Sequence, residues 1–406
     1  MALAALIAAS GQVEDGGDGL RATLPLVGAT LLEHQARLAR RAGAAHIVVM
    51  VERMPAALTA ALERLRRDGI AIEVARGAAD AADRIHPDER LLVIADGCLA
   101  GQPLIDRLVA AAPPAVVSVP DHSDRQMFER IDAVTRWGGL ALIDGARLRR
   151  TVAMLGDWDM VSTLLRRTLQ ENATRIDAFP PEASGRPELL MMADRAAALE
   201  GLDRRLIGAS RARAEDWPGR YLFPPVEELA LRPIAGSGID PGWLATAAAV
   251  LAVAAVPAVL LGWRWAMLAL LLLTGPVMAV AVRLAGTRLA QVRHRSLIAG
   301  VRDGAAAVAL VALGRDLGAS LGWGMIVLAT GAVAAAVALR VERRSLARLG
   351  GSIPVWLASA DGLIWLLLPF AAAGAWGIGI GALAVYALAS FFFVQRGVAL
   401  RSNGAV

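Results

Sequence analysis

The stretch RLAGTRLAQVRHRSLIAGVRDGAAAV, residues 283–308, carries five Arg, one His and one Asp between two long apolar runs. Arginines placed this way have two uses. Arg283, Arg288, Arg293, Arg295 and Arg302 can bind phosphate or anionic lipid headgroups, or they can anchor a loop at a membrane surface. Asp303 is the only carboxylate of the stretch and its one candidate catalytic residue. Asp361, near Ser359 in a later apolar run, is a candidate partner for Arg302, since an ionisable side chain in such a run needs an opposite charge or a function. The chain contains no Lys, so a Schiff-base lysine and a phosphate-gripping lysine are both excluded. Cys98 is the only cysteine, which rules out an intrachain disulfide and a thiolate metal cluster. Cys98 and His34 read as inert or packing residues. Asp157 and Asp159 read as a capped helix start over 157–172, with Asp157 as the cap.

These residues must be positioned by two unlike halves. The 406 residues are 56% hydrophobic and 19% charged, with a formal net charge of +5. That is too apolar for an ordinary soluble chain and too charged for one buried throughout in a bilayer. Up to about residue 205, the runs LAALIAA, AHIVVMV, IAIEVA, LLVIAD and AVVSV read as buried strands. They alternate with helical patterns such as LLEHQARLARRAG and AALTAALERLRRD, the signature of a mainly parallel α/β sheet. The N-terminal MALAALIAASG has no basic flank and reads as the first strand rather than a signal peptide. Residues 206–240 form a charged connector. From 241 onward six apolar stretches are expected to cross a bilayer, at about 243–262, 264–282, 297–314, 320–339, 352–372 and 376–395. Arg283, Arg288, Arg293 and Arg295 follow the second, Arg340, Arg343, Arg344 and Arg348 the fourth, and Arg396 and Arg401 the sixth. The opposite side offers only Arg264 and Arg315, so the N-terminal half, these loops and the C-terminus are expected on the cytoplasmic side of a bacterial inner membrane.

The segment ALIAASGQVEDGGDGLRATLPLVGATLLEHQARLARRAGA resembles the start of sugar-phosphate and molybdopterin-type nucleotidyltransferases, most closely over LPLVGATLLEHQARLARRAGA. The resemblance implies a Rossmann-like fold and a glycine loop whose backbone N–H groups approach a nucleotide's phosphates. Gly11, Gly17 and Gly19 are then the nucleotide-binding glycines, and Arg21 takes the place of the family lysine. The family holds a divalent cation, Mg²⁺, on two aspartates, and by position these become Asp96 and Asp194. Glu14, Asp15 and Asp18 depart from the pattern by placing negative charge where a triphosphate would lie.

The segment GRYLFPPVEELALRPIAGSGIDPGWLATAAAVLA resembles the entry into CDP-alcohol phosphatidyltransferases, six-helix membrane enzymes, some of which carry a fused nucleotidyltransferase that makes the CDP-linked polar head. Their motif D-x-x-D-G-x-x-A-R-x8-G-x3-D-x3-D holds two divalent cations on four carboxylates. On residues 283–308, Ala290 and Gly300 keep the motif's spacing. Its four aspartates become Arg283, Gly286, Gly304 and Val308, its first glycine Thr287 and its arginine Gln291. Asp303 is one residue off register, about 100° around a helix.

The resulting expectation is an integral membrane protein with a nucleotidyltransferase-like domain (1–205), a connector (206–240) and a six-helix phosphatidyltransferase-like domain (241–406). It would serve phospholipid synthesis through a lost or divergent membrane site, or act as a non-catalytic scaffold or anionic-lipid-binding homologue that partners active synthases. Arg283, Arg288 and Arg302 are the expected headgroup contacts. Membrane lipids and a nucleotide or CDP-linked lipid are the expected partners, and nucleic acid is not. Mg²⁺ and a homodimer through the membrane domain are left open.

Overall fold

Six consecutive apolar residues, LAALIA, form strand β1 (Leu3–Ala8), and every one of them is buried. An unbroken apolar run suits a strand covered on both faces. A computed structural model of the chain describes all residues except 1, 15–18, 157, 181–188, 210–213, 351 and 404–406. It divides into two compact units, 1–206 with 288–291, and 207–287 with 292–406.

In the first unit β1 is followed by the short hairpin β2 (Pro25–Leu26) and β3 (Ala29–Thr30), then α1 (Leu31–Arg41), β4 (Ala44–Met50), α2 (Ala56–Arg67), β5 (Ile72–Ala75) and α3 (Ala78–Asp83). Next come β6 (Arg90–Ile94), β7 (Cys98–Ala100), α4 (Gln102–Ala110), β8 (Ala115–Pro120), β9 (Thr135–Asp144), α5 (Gly145–Val152) and α6 (Met160–Gln170). The unit closes with β10 (Thr174–Asp177), β11 (Leu190–Met192), α7 (Ala196–Leu199) and α8 (Leu202–Ala209), whose last residues fall in the second unit. Seven strands make one sheet in the order β10-β8-β9-β6-β1-β4-β5. β1 pairs parallel with both β4 and β6, whereas β9 runs antiparallel to both β6 and β8. The α/β character expected from the sequence is present, with β9 as an antiparallel strand that the alternation pattern does not reveal.

Helix α1 starts at a full capping box. Thr30 Oγ1 accepts the Glu33 N–H, and Glu33 Oε2 accepts the Thr30 N–H at 2.8 Å. Glu33 is 1% exposed and also takes hydrogen bonds from Arg64 and Arg37. Helix α6 is capped by Asp159, which accepts the Ser162 N–H. The cap expected at Asp157 lies outside the described residues.

Among the described residues the regular elements of the second unit are helices: α9 (Trp217–Tyr221), α10 (Phe223–Ala235), α11 (Pro241–Leu260), α12 (Arg264–Thr287), α13 (Arg295–Leu321), α14 (Gly324–Arg348), α15 (Ala360–Ala372) and α16 (Trp376–Asn403). Five of these, α11 to α14 and α16, are long and apolar enough to cross a membrane. Val250, Leu260, Val327, Val385 and Phe392 are each more than half exposed on them, an arrangement that hydrocarbon tolerates and water does not. The expectation of six spans is corrected at 352–372. There the helix begins only at Ala360, where Ser359 accepts the Gly362 N–H, and runs for 13 residues. At 1.5 Å per residue this reaches about 20 Å, short of a hydrocarbon core of about 30 Å.

Candidate functional site

In the first unit the chain builds outward from β1 through β4 to β5, then returns to lay β6 on the other side of β1. The carboxyl ends of β1 and β6 therefore flank a topological switch point, the place where open α/β sheets bind ligands. Ser10 and Gly11 lie just beyond β1, and Asp96 and Gly97 just beyond β6. The Gly11 N–H donates to Asp96 Oδ2 at 2.5 Å. A Cβ on Gly11 would stand 2.9 Å from that oxygen, so a side chain there would push the Asp96 carboxylate away from the Gly11 N–H. Gly97 has φ +75°, and a Cβ there would stand 2.6 Å from the Ala193 carbonyl.

That carbonyl belongs to the residue between β11 and Asp194. β11 pairs antiparallel with β7, the Ala193 N–H donates to the Gly97 carbonyl at 2.8 Å, and the Glu14 N–H donates to the Asp194 carbonyl at 3.0 Å. Arg21 donates its backbone N–H to the Gly11 carbonyl and its Nε to the Gln12 carbonyl, each at 2.9 Å. Its Cδ lies 3.3 Å from the Cβ position of Gly11 and 3.5 Å from that of Gly97, so the arginine stem crosses both glycines. Gly19 closes the loop by accepting the Val13 N–H, while Gly17, with 15, 16 and 18, lies outside the described residues.

The two aspartates are shifted in opposite directions. Burial pushes Asp96 up to about 6, against the Gly11 N–H and the Arg21 charge, which pull it down. Its second oxygen, Oδ1, is buried without a hydrogen-bond partner among the described residues. Burial acts on Asp194 in the same direction, but the Arg195 hydrogen bond and the charges of Arg195 and Arg21 outweigh it and hold it below the usual carboxylate range. Arg21 thus acts electrostatically on both. The neighbouring Cys98 is buried, and its thiol is pushed up to about 12, which leaves it unreactive. His34 is 5% exposed; burial and the charges of Arg37 and Arg41 push it down to about 4, so it packs as a neutral ring.

The second unit holds a cavity of about 1250 Å³ walled by α13, α14, the start of α15 and the segment around Asp216. Arg220, Arg302, Arg340, Arg343 and Arg344 line it, together with Glu215, Asp216, Asp303 and Asp361. Arg302 donates to Asp303 Oδ1 at 2.8 Å and to Asp361 Oδ2 at 3.1 Å, and Arg340 donates to Asp303 Oδ2 at 2.6 Å. The pairing of Arg302 with Asp361 is the one expected from the sequence. Asp216 caps α9 through the Gly219 N–H and accepts the Ser359 hydroxyl at 2.6 Å, so one carboxylate ties the starts of α9 and α15 together. Arg343 donates to the Ala358 carbonyl at 3.2 Å, and its buried Nε has no partner among the described residues. Arg343 and Arg344 have no carboxylate within ion-pair distance among the described residues.

Arg283 and Arg288 lie outside this lining. Arg283 is 6% exposed and donates to Glu227 at 2.9 Å and to the Ile207 carbonyl at 3.2 Å. Arg288 belongs to the first unit, is equally buried, and donates its Nε to the Val27 carbonyl at 2.7 Å. Sequence reasoning missed Arg340, Arg343, Arg344 and Asp216 as members of one cavity. The only signal was a run of charges after an apolar helix, which reads equally well as an anchor. Gly97 was also missed, although a glycine after the strand-end Asp96 is a readable turn signal.

Among the described residues no three His, Cys, Asp or Glu side chains are grouped to hold a metal ion. Asp303 and Asp361 do not fit a divalent cation, because Arg302 and Arg340 already occupy Asp303, and Arg302 occupies Asp361. No family model matches the chain, and no curated protein matches it. Among solved structures, one named for a glucose-1-phosphate thymidylyltransferase of Bacillus anthracis in complex with a sucrose aligns with 50% of this chain and 95% of its own, at 12% identity and a TM-score of 0.39.

Proposed function

We propose that this is a multi-pass membrane protein whose helical unit binds a phosphate-bearing lipid headgroup by direct ion pairing with arginine, without a divalent metal and without turning it over. One observation carries the reading. The cavity pairs Asp303 and Asp361 with Arg302 and Arg340, and with Glu215 and Asp216 counted its lining still has five arginines to four carboxylates, of which Arg343 and Arg344 have no carboxylate within ion-pair distance among the described residues. A guanidinium fork matches phosphate geometry. On this reading the helical unit is a non-catalytic partner of lipid synthesis.

The test uses the full-length protein in lipid nanodiscs. Anionic phospholipid is expected to bind equally well in Mg²⁺ and in EDTA, to weaken with salt, and to be lost in Arg343→Gln/Arg344→Gln. Mg²⁺-dependent release of CMP from CDP-diacylglycerol, abolished by Asp303→Ala, would overturn the reading.

A second reading applies to the first unit and rests on Asp96. A buried carboxyl with a bare oxygen at a switch point suits a nucleotide carried with a cation. Asp96 would hold Mg²⁺, joined by Asp194 once its two oxygens are released from Arg195, which donates to them at 3.1 and 3.3 Å; the ion would neutralise phosphate charge, with the Gly11 loop and Arg21 positioned for the phosphates. Calorimetric titration of CTP with and without Mg²⁺ tests it, and binding unchanged in Asp96→Asn would exclude it.

A further inference from the structure

At the end of the helical unit where α12 begins and α13 finishes there is a second cavity, of about 500 Å³. It is lined by Trp263, Arg264, Trp265, Asp316 and Trp376, together with Gly262 and Ala266. Arg264, the first residue of α12, donates its Nε to Asp316 Oδ2 at 2.5 Å. Trp265 and Trp376 meet edge to face with ring centroids 5.4 Å apart. Trp263 and Trp265 are 63% and 55% exposed.

The ion pair is about one-third exposed on both sides. A pair so open to solvent adds little to stability, so fastening α12 to α13 is a weak account of it. What it does provide is one accessible positive and one accessible negative group side by side between indole rings. A purely anionic ligand that took Arg264 would leave Asp316 bare, and a purely cationic one that took Asp316 would leave Arg264 bare. A ligand carrying both charges a few bonds apart satisfies both. The indole faces favour the cationic end, and the first turn of α12 favours the anionic end. Tryptophan at the end of a membrane helix lies at headgroup depth.

We propose that this cavity seats the headgroup of a zwitterionic phospholipid, with its phosphodiester on Arg264 and its ammonium between Asp316 and the rings of Trp263 and Trp265. The chemistry recognised is a phosphodiester joined to an ammonium group, and the bilayer is its source. The site is independent of the arginine cavity proposed above.

The test is native mass spectrometry of the full-length chain carrying Arg343→Gln/Arg344→Gln, which silences the other headgroup site. The probes are phosphatidylethanolamine, phosphatidylglycerol and soluble glycerophosphoethanolamine. Phosphatidylethanolamine should be retained about tenfold more than phosphatidylglycerol, a ratio equal to about 1.4 kcal/mol. Trp265→Leu should reduce that retention severalfold. Asp316→Asn should reverse the order, because it frees Arg264 for an anionic headgroup, and Arg264→Gln should lose both lipids. A structural role alone predicts no reversal. Retention of the lipid without the soluble headgroup, or of both, supports the site. Equal retention of the two lipids by the parent chain overturns it, as does an unchanged order in Asp316→Asn.

Discussion

Asp96→Asn should stabilise the first unit at neutral pH. The side chain lies at the switch point between β1 and β6, and burial lifts it from 3.8 to about 6. At about 1.4 kcal/mol for each pKa unit, holding it ionised in the fold costs about 3 kcal/mol. The folded value lies above the unfolded one, so the fold binds the extra proton. The contribution of Asp96 to stability is greatest below pH 3.8, falls as pH rises from there through about 6, and is level above that. Asparagine keeps an acceptor for the Gly11 N–H and removes the charge. The variant should therefore match wild type near pH 4 and exceed it by up to about 3 kcal/mol near pH 8. Because the protein has two units, a single melting temperature is a poor readout. Hydrogen exchange of peptides covering β1 and β6 in the full-length chain reports the local difference directly. A cation bound at Asp96 would restore wild type towards the variant at pH 8. Equal protection of the two proteins at pH 4 and pH 8, in EDTA, would refute the assignment of a buried ionised carboxylate to this position.

Arg302→Gln leaves Asp361 without its partner and Asp303 with only Arg340, and should cost about 3–5 kcal/mol of helical-unit stability in detergent; adding Asp361→Asn should recover part of it, as measured by chemical denaturation. Gly97→Ala forces a Cβ onto the Ala193 carbonyl at φ +75°, which should cost about 1–3 kcal/mol and loosen the β7–β11 pair, read by exchange of the Leu190–Met192 peptide. Burial works against ionisation of Glu33, but the Arg64 hydrogen bond and the Arg37 charge outweigh it and hold the group below its usual 4.5. Its contribution is present above 4.5 and lost as pH falls through its folded value, so the acid limb of an unfolding profile should be shallower in Glu33→Gln. Thr30→Ala removes the cap of α1 and should cost about 1 kcal/mol at any pH.

The sequence shows β1, β4 and β6 plainly because runs such as LLVIA carry their burial in composition alone. It hides β9, TRWGGLALID, because Gly138 and Gly139 interrupt the apolar run and the strand's direction is fixed only by its partners β6 and β8. Asp194 could be matched to a motif, but its approach to Gly97 depends on β11, three residues whose pairing with β7 leaves no periodic trace. The short α15 shows the converse error. Hydropathy counts residues 352–372 as one span, but Ser359 caps the helix and cuts its length. The Arg302–Asp361 pair was legible because each is an isolated charge in an apolar run. Arg340, Arg343 and Arg344 were not, since anchoring a membrane helix and lining a cavity call for the same residues in the same places.

The two sites treat carboxylates in opposite ways, and this separates their ligands. At Asp96 one oxygen is committed to a glycine N–H and the other is buried and bare, so whatever completes the site must bring positive charge or a proton. At Asp303 and Asp361 arginine already supplies that charge, so added Mg²⁺ would have to displace Arg302 or Arg340 from a cavity that also presents Arg343 and Arg344. With five arginines against the four carboxylates Glu215, Asp216, Asp303 and Asp361 in the lining, the remaining positive charge opposes a metal and favours an anion. Neutralising Arg343 and Arg344 should therefore lower anion affinity in the helical unit while leaving Asp303 ion-paired, and neutralising Arg302 should begin to open the same cavity to divalent cations. Manganese relaxation measured on the Arg302→Gln protein and on its parent would show the difference: enhancement in the variant alone is expected, and equal enhancement in both would mean the arginines do not exclude metal.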